Sequence, residues 1–522
     1  MKKIVFGVIF CSFFVAFFSS CDKIESFMES KEEGKKIVPI EIWYSPYSSS
    51  AAPLPADWFA LPIIEEKLGI KLKAVPLPAK KEEQNDVILK AARSGSLPDF
   101  FMVNRDVLVQ LVKENRVARL DSMFKLMPVR SKQMYNAESK KNATFDGAIY
   151  GLSQPGSIDK NEGILIRKDW LDNLGLTIPR TLDEFFAVMQ AFTFGDPDKN
   201  GKADTFGYGA FIELNNHEEG LGCRFSPFFG AFGVAGTFNA SRDSLGLNVR
   251  KAEAFDAMAF IRKMVEEKVI DPNWSVYKKD DFREAWKNGR FGIMREQNAA
   301  FALEANYRPF DERFPNGEWI LIDPPEGSDG KKSVGCYTQS YRTFAVSRRS
   351  EELGKLPALA RLLEWMSGEG YNIVNYGKEG ENFLLDSEGR VTIGGLSDPS
   401  KAYSKNEIAP ILQLRNLVSY ASDEELRARY PTWRTKNGKE MSALVLLRQM
   451  QNSPWTASVG VPVPPQELRV FYEQALLDFA TGKRNLTRSN WLDFVSEFDK
   501  KGGAEWEKQC KAFVEENNLF VD

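Results

Sequence analysis

One histidine, His217, stands among the 522 residues. A single imidazole cannot build a multi-histidine metal site, and with no G-x-S-x-G elbow in the chain it is a poor start for a nucleophilic triad. His217 is expected in a loop or at the surface. Cysteine is nearly as scarce, at five residues: Cys11 in the N-terminal apolar run, then Cys21, Cys223, Cys336 and Cys510. So scattered a set makes neither a disulfide framework nor a zinc-ligand spacing. Basic runs are missing as well. The 69 Lys and Arg are balanced by 72 Asp and Glu, for a net charge of −3, and no Lys/Arg-rich block gives a footprint for nucleic acid. Neither an internal repeat nor a low-complexity tract is present.

What is there begins with a targeting segment. Lys2 and Lys3 precede an apolar run from Ile4 to Phe18, then Ser19-Ser20-Cys21. Small residues before a cysteine resemble a bacterial lipobox, in which the cysteine is lipidated and becomes the new N-terminus; Phe18 departs from the usual aliphatic residue. The run is short for a spanning helix, so residues 1–20 read as a signal peptide and Cys21 as a lipidation site. An ordinary secretory signal or an uncleaved anchor are the alternatives. Residues 22–36, DKIESFMESKEEGKK, are polar and charged and read as a tether. With 43% hydrophobic and 12% aromatic residues, the remainder can bury a large core in more than one domain.

The stretch from Ile164 to Gly209 carries the densest signals. Thr181 and Glu184 form the T-x-x-E of a capping box, and Leu182, Phe185, Phe186, Met189 and Phe192 recur at helical spacing as a core-facing stripe. The helix leads into Asp196-Pro-Asp198-Lys-Asn200-Gly201-Lys202-Ala-Asp204. Oxygen side chains at loop positions 1, 3, 5 and 9, glycine at 6 and a carbonyl at 7 match the first nine positions of a calcium-binding EF-hand loop. Position 12 is Gly207 instead of Glu. A further ligand would have to be water, Thr205 or a carboxylate from elsewhere; the alternative is an Asp/Asn/Gly turn without metal.

Before this stretch the pattern alternates: strand Ile40–Tyr44, helix Trp58–Leu68, strand Ile70–Val75, helix Lys80–Arg93, strand Phe100–Val103. A βαβαβ run predicts an α/β fold with a parallel sheet covered on both faces. Helices are expected over Ala252–Lys268, Phe282–Asn288, Leu356–Met366, Glu467–Ala480 and Arg488–Glu515. Strands are expected at Phe291–Met294 and Trp319–Ile322, an extended segment over Cys336–Ser347, and a hairpin at the DSEGR sequence. Trp170, Trp286, Trp365 and Trp491 lie in helical patterns and are expected to pack.

In that order the chain resembles family 1 extracellular solute-binding proteins, in the large lipoprotein branch serving oligosaccharide ABC importers. The residues that carry the likeness are ARSGSLPDFF (92–101), IYGLSQP (149–155), RKDWLDNLGLTIPRTLDEF (167–185), DPDKNGKADTFG (196–207), VIDPNW (269–274), FREAWKNGRFGIM (282–294), NYGKEGENF (375–383) and WLDFVSEFDKKGGAEW (491–506). The resemblance implies two α/β lobes with doubly wound sheets, closing like a hinged clamp: residues 37–155 plus 340–385, and 156–335 plus 386–522. It implies a monomeric, lipid-anchored, non-catalytic receptor at the cell envelope that delivers an oligosaccharide to a permease. Within the branch the acidic loop resembles a structural calcium site, with Asp196, Asp198, Asn200, Lys202 through its carbonyl, and Asp204 matching.

Ligands of open α/β sheets sit past the carboxyl ends of strands, and sugars ask for aromatic plates with a few planar polar groups. Trp43, Tyr44, Arg105, Arg295, Glu296, Tyr337 and Tyr341 are the candidates; the two arginines suit a sugar carboxylate or, equally, ion pairs at the surface, and for the aromatics the alternative is core packing. A peptide receptor of the same fold, or a lipid-anchored polysaccharide-active enzyme, are the competing readings.

Overall fold

The structure is a computed structural model and describes residues 37–46, 52–134, 143–153, 160–214, 218–338, 343–418, 426–427 and 430–521. Cys21, the signal and tether, His217 and Tyr341 lie outside the described residues.

The βαβαβ run is present. β1 (Val38–Tyr44), α1 (Ala60–Leu68), β2 (Ile70–Pro76), α2 (Lys81–Ser94) and β3 (Phe100–Val103) follow in order, with α1 stopped by Gly69 in the left-handed conformation at φ 65°. β1 runs parallel to both β2 and β3. After α3 (Arg105–Lys113) and the short β4 (Leu152–Ser153), the chain leaves this lobe. The second lobe is built from β5 (Glu162–Arg167), α4 (Lys168–Leu174), α5 (Leu182–Phe194), β6 (Phe206–Tyr208), α6 (Ala252–Glu266), α7 (Lys279–Lys287), β7 (Phe291–Gln297) and β8 (Trp319–Ile322). The chain then passes through β9 (Cys336–Thr338) and returns as β10 (Thr343–Val346) and α8 (Leu356–Ser367). β11 (Thr456–Ser458) pairs with β9, and α9 (Gln466–Thr481), α10 (Arg488–Lys500) and α11 (Gly503–Glu516) close the chain. The expected helix Arg488–Glu515 is two helices, because Gly502 at φ 108° turns the chain between them.

The first sheet has the order β2-β1-β3-β10-β4 and the second β8-β5-β7-β6. Both are mixed. β10 arrives from the other lobe and enters antiparallel to β3, and β5 is antiparallel to β7 and β8. All six residues of β5 are buried, the mark of a strand covered on both faces.

Each lobe has its own core. One gathers Ile40, Ile42, Phe100, Phe101, Leu359 and Leu363; the other centres on Phe185, Met189, Phe192, Ile261, Phe479 and Phe494. Each such side chain contributes about 1.5–3 kcal/mol by burial. Trp170, Trp286, Trp365 and Trp491 are buried as expected. Leu414, Leu417 and Val418 pack into the first core, although residues from 386 onward were expected with the second lobe; the segment after the 384–392 hairpin lies against the first sheet.

The motifs of the RKDW and GRFGIM segments serve packing. Arg167 is 2% exposed, donates to both oxygens of Asp169 at 2.8 and 2.6 Å, and lies 4.6 Å from the Trp170 ring centroid. A Cβ at Gly292 would stand 2.3 Å from Phe192 and 2.6 Å from Trp170, so only glycine lets β7 approach α5 and α4 this closely.

Candidate functional site

The chain crosses between the lobes from Ser153 to Glu162 and from Thr338 to Thr343, and the two crossings are clasped at either end. In the first lobe Thr343 pairs with Ser153. In the second, the Lys160 ammonium sits 4.2 Å from the centroid of the Tyr337 ring. Tyr337 in turn meets Trp455, whose ring is 6.4 Å away and nearly perpendicular at 87°. Trp455 donates Nε1–H to the Met450 carbonyl at 2.9 Å and carries the Arg295 guanidinium 5.4 Å from its ring centre. Lys160, Tyr337 and Trp455 are all half-buried.

Behind this corner lies a buried ion cluster that corrects two of the ligand candidates. Arg295 is 2% exposed and pairs with Glu162 at 2.9 Å and Glu218 at 3.0 Å. Glu296, fully buried, accepts from Arg224 and Arg283. Arg224 also holds Glu162 at 2.9 Å and Glu213 at 3.4 Å. For Glu162 and Arg295 burial works against the charge, yet the opposing partners outweigh it: Arg224 and Arg295 hold the Glu162 carboxyl down at about 2, and Glu218 and Glu162 push the Arg295 guanidinium up. Arg295 and Glu296 are therefore committed to each other's neighbours and do not face a ligand. Adjacent strand residues point to opposite sides, but β7 is covered on both, which buries the pair.

Tyr44 is a further correction. It is 1% exposed, shares the inward face of β1 with Ile40 and Ile42, and accepts the Leu54 amide on its hydroxyl at 3.1 Å, so it anchors the following loop from the core. Trp43, half-buried on the other face, is tethered by Nε1–H donation to Glu41 at 2.8 Å. Arg105 opens α3 past β3, with its guanidinium 5.4 Å from the Phe145 ring centre and its pKa lowered by burial to about 10. A separate hollow of about 630 Å³ is lined by Tyr371, Tyr376, Tyr403, Arg390 and Arg427. Its lining comes from Gln133, from residues between Ser367 and Tyr403, and from Arg427 and Pro431.

The acidic loop follows α5, whose capping box forms as expected between Thr181 and Glu184. Asp196, Lys199 and Gly201 all take positive φ, at 48°, 55° and 74°, which winds the loop tightly. Asp196 accepts the Asn200 and Gly201 amides at 3.0 and 3.1 Å, and the Asn200 side-chain amide reaches Asp198 and Asp204 at 2.8 and 3.2 Å. As placed, among the described residues no three His, Cys, Asp or Glu side chains converge as a metal cage. The donor set nonetheless fits a hard cation. Oδ1 of Asp198 is buried without a hydrogen-bond partner, and desolvation, with the charges of Asp204 and Asp196, raises the Asp198 carboxyl above its usual range. Turning the Asn200 amide over would replace its NH₂ by an oxygen between two carboxylates.

Thr205 is not poised as the missing ligand: it is 3% exposed and donates its hydroxyl to the Phe192 carbonyl. Gly207 explains why position 12 lacks Glu. A Cβ there would stand 2.4 Å from the Met189 backbone. Asp281 and Glu284 of α7 share the hollow beside Asp198, Asn200 and Asp204 and are carboxylates from elsewhere that could serve.

No family model matches the chain. Over 92% of its length it superposes on 99% of the Streptococcus pneumoniae ABC-transporter substrate-binding protein FusA in complex with kestose, at TM-score 0.63 and 18% identity. The fold is that of an extracellular solute-binding protein. Alginate-binding protein AlgQ2, solved without calcium ion, matches over 91% of this chain and 97% of its own at TM-score 0.59 and 16% identity. Another FusA structure is of an EF-hand mutant.

Among curated sequences, the polygalacturonan/rhamnogalacturonan-binding protein YtcQ of Bacillus subtilis is 26% identical over 63% of this chain, and lipoprotein LipO of the same organism 24% over 74%. FusA is 25% identical over 55%. The matches span 61%, 74% and 54% of those three proteins. Of these relatives, FusA is named a fructooligosaccharide ABC transporter substrate-binding protein and YtcQ a polygalacturonan/rhamnogalacturonan-binding protein.

The members of the corner that sequence reasoning missed are Lys160, Glu162, Arg224 and Trp455. Glu162 alone gave a signal: an acid opening an otherwise apolar strand, EGILIR, must find a cation.

Proposed function

We propose that the chain is a lipid-anchored receptor that captures an oligosaccharide between its two lobes and hands it to an ABC permease. What supports the reading is the likeness to a kestose-bound receptor over nine-tenths of the chain, together with a relative named for binding acidic plant polysaccharides. A ligand touching both lobes favours the closed arrangement by its extra contacts there. The first lobe would comprise residues 37–155 and 340–418, the second 156–335 and most of the remainder. Cys21 would carry the lipid, in keeping with the relative named a lipoprotein; among the described residues no helix is long and apolar enough to cross a membrane.

Calcium would be held by Asp196, Asp198, Asn200, the Lys202 carbonyl and Asp204. It would supply positive charge to a carboxylate cluster and pin the end of α5 to β6; it takes no part in binding sugar. The test is thermal melting of the full chain in mild detergent against neutral and acidic oligosaccharides, followed by recovery of the sugar. Saturation at a hundred times the dissociation constant adds about 2.7 kcal/mol. A shift with the sugar recovered unaltered supports the receptor; a sugar recovered cleaved, or no shift with any sugar, sinks it.

A further inference from the structure

The receptor reading leaves the chemical class of the sugar open, and the charges at the second-lobe end of the crossings bear on it. Arg224, Arg283, Arg295 and Lys279 face Glu162, Glu213, Glu218 and Glu296 in ion pairs of 2.7–3.4 Å. Four cations meet four carboxylates, so the cluster is neutral as it stands and has no charge to spare for a ligand.

Lys160 differs. Among the described residues no carboxylate lies within ion-pair distance of it, and its ammonium rests on the Tyr337 ring instead. It also occupies a left-handed backbone conformation, φ 60°, immediately before β5. A side chain in that region is strained, and glycine or asparagine would meet the backbone requirement more cheaply. Lys199 and Lys268 share that conformation, so what sets Lys160 apart is its place on the Tyr337 ring at the end of the crossing, with no carboxylate among the described residues to meet its charge.

Trp455 supplies the apolar half of the same corner. Its orientation is fixed from three sides, by the Met450 carbonyl, the Tyr337 ring and the Arg295 guanidinium, yet part of its surface remains exposed. The face of Tyr337 is occupied by Lys160, which leaves Trp455 as the plate of the corner.

We infer that Lys160 and Trp455 form a subsite for an acidic sugar unit, the Trp455 ring stacking on the C–H face and the Lys160 ammonium pairing with the sugar's carboxylate. Tyr337 orients the lysine, and Arg295 is a positioning residue acting through Trp455. The inference rests on the oligosaccharide reading above and narrows it to uronate-containing chains. A charge-assisted contact of this kind contributes about 1.5–3 kcal/mol, on the order of tenfold or more in affinity.

The experiment is calorimetric titration of the full chain in mild detergent with trigalacturonate, with its fully methyl-esterified form, which keeps the stereochemistry and loses the charge, and with neutral 1-kestose. The acid is expected to bind about tenfold tighter than the ester at low salt, the advantage shrinking as salt is raised. Lys160→Met should collapse the acid-to-ester ratio to near one. Trp455→Ala should weaken both forms about tenfold, with Trp455→Phe recovering most of it, which a mere folding defect would not allow. An unchanged ratio in Lys160→Met, full affinity in Trp455→Ala, or a preference for kestose or the ester overturns the subsite while leaving the receptor reading intact. If none of the three sugars binds the unaltered chain, the receptor reading falls and the subsite with it.

Discussion

Two regions of the second lobe crowd carboxylates together and handle them in opposite ways. Around Arg224 each acid is met by an arginine or lysine, and Glu162, Glu218 and Glu296 are buried, so the Glu162 carboxyl is stabilised in its charged form. In the loop from Asp196 to Asp204 the acids are met by backbone amides and by one another, and Asp198 is pushed the other way. A cluster that carries its own countercharge is finished architecture; one that lacks it has room for an ion from solution, the role proposed above for the loop.

The largest break in the comparison should come from Arg224→Met, which would take one of two cations from each of Glu162, Glu296 and Glu213. Removing one partner of a buried network costs about 3–5 kcal/mol, to be read by urea unfolding. Arg488→Met, at the exposed pair with Asp256, should cost less than about 1 kcal/mol. Equal costs would mean that burial does not distinguish the pairs.

Acid should come next. Glu162 titrates well below its ordinary value of 4.5, so its stabilisation is complete above that pH and is lost as pH falls toward about 2. The contribution is on the order of 3 kcal/mol, and Glu162→Gln should flatten that limb of the stability profile while lowering stability at neutral pH. The calcium-free loop carries the opposite sign. The raised Asp198 carboxyl is a burden above its pKa that is relieved as pH falls through it, so acidification should erase the calcium-dependent part of the melt while sparing the rest.

Supplying the absent twelfth ligand as Gly207→Glu should not tighten calcium. The new Cβ would run into Met189, and the cost is about 1–3 kcal/mol of stability, seen in the melt with chelator present. Smallest in effect is Asp198→Asn: without calcium it should be as stable as the parent or more so, by less than about 1 kcal/mol, and its calcium-dependent melting shift should shrink. A full shift in that variant would remove the loop as the calcium site.

The division between what was and was not legible in the sequence follows the same two regions. The loop and its capping box are contiguous, and their spacing is their chemistry, so Thr181, Glu184 and the Asp196–Asp204 pattern could be read directly. The ion cluster joins residues far apart in the chain, such as Arg224 with Glu162, 62 positions away, and Arg295 with Glu218, 77 positions away, and no periodicity announces such partners. Arg295 and Glu296, expected at the ligand from their place at a strand end, are paired within the cluster instead. Tyr44 was misjudged for a different reason. The two-residue alternation with Ile40 and Ile42 already put it on the core face, and its place at a strand end was given more weight than that period.

The three thiols of the folded part have a practical consequence. Cys223, Cys336 and Cys510 are all buried, and desolvation pushes each thiol above its usual range, so none offers the thiolate that alkylating reagents require. Once residues 1–36 are removed, a cysteine introduced on the surface of each lobe would be the only reactive sulfur there. Fluorophores could then follow the distance between lobes as sugar is added, without first stripping the native sulfurs from the cores.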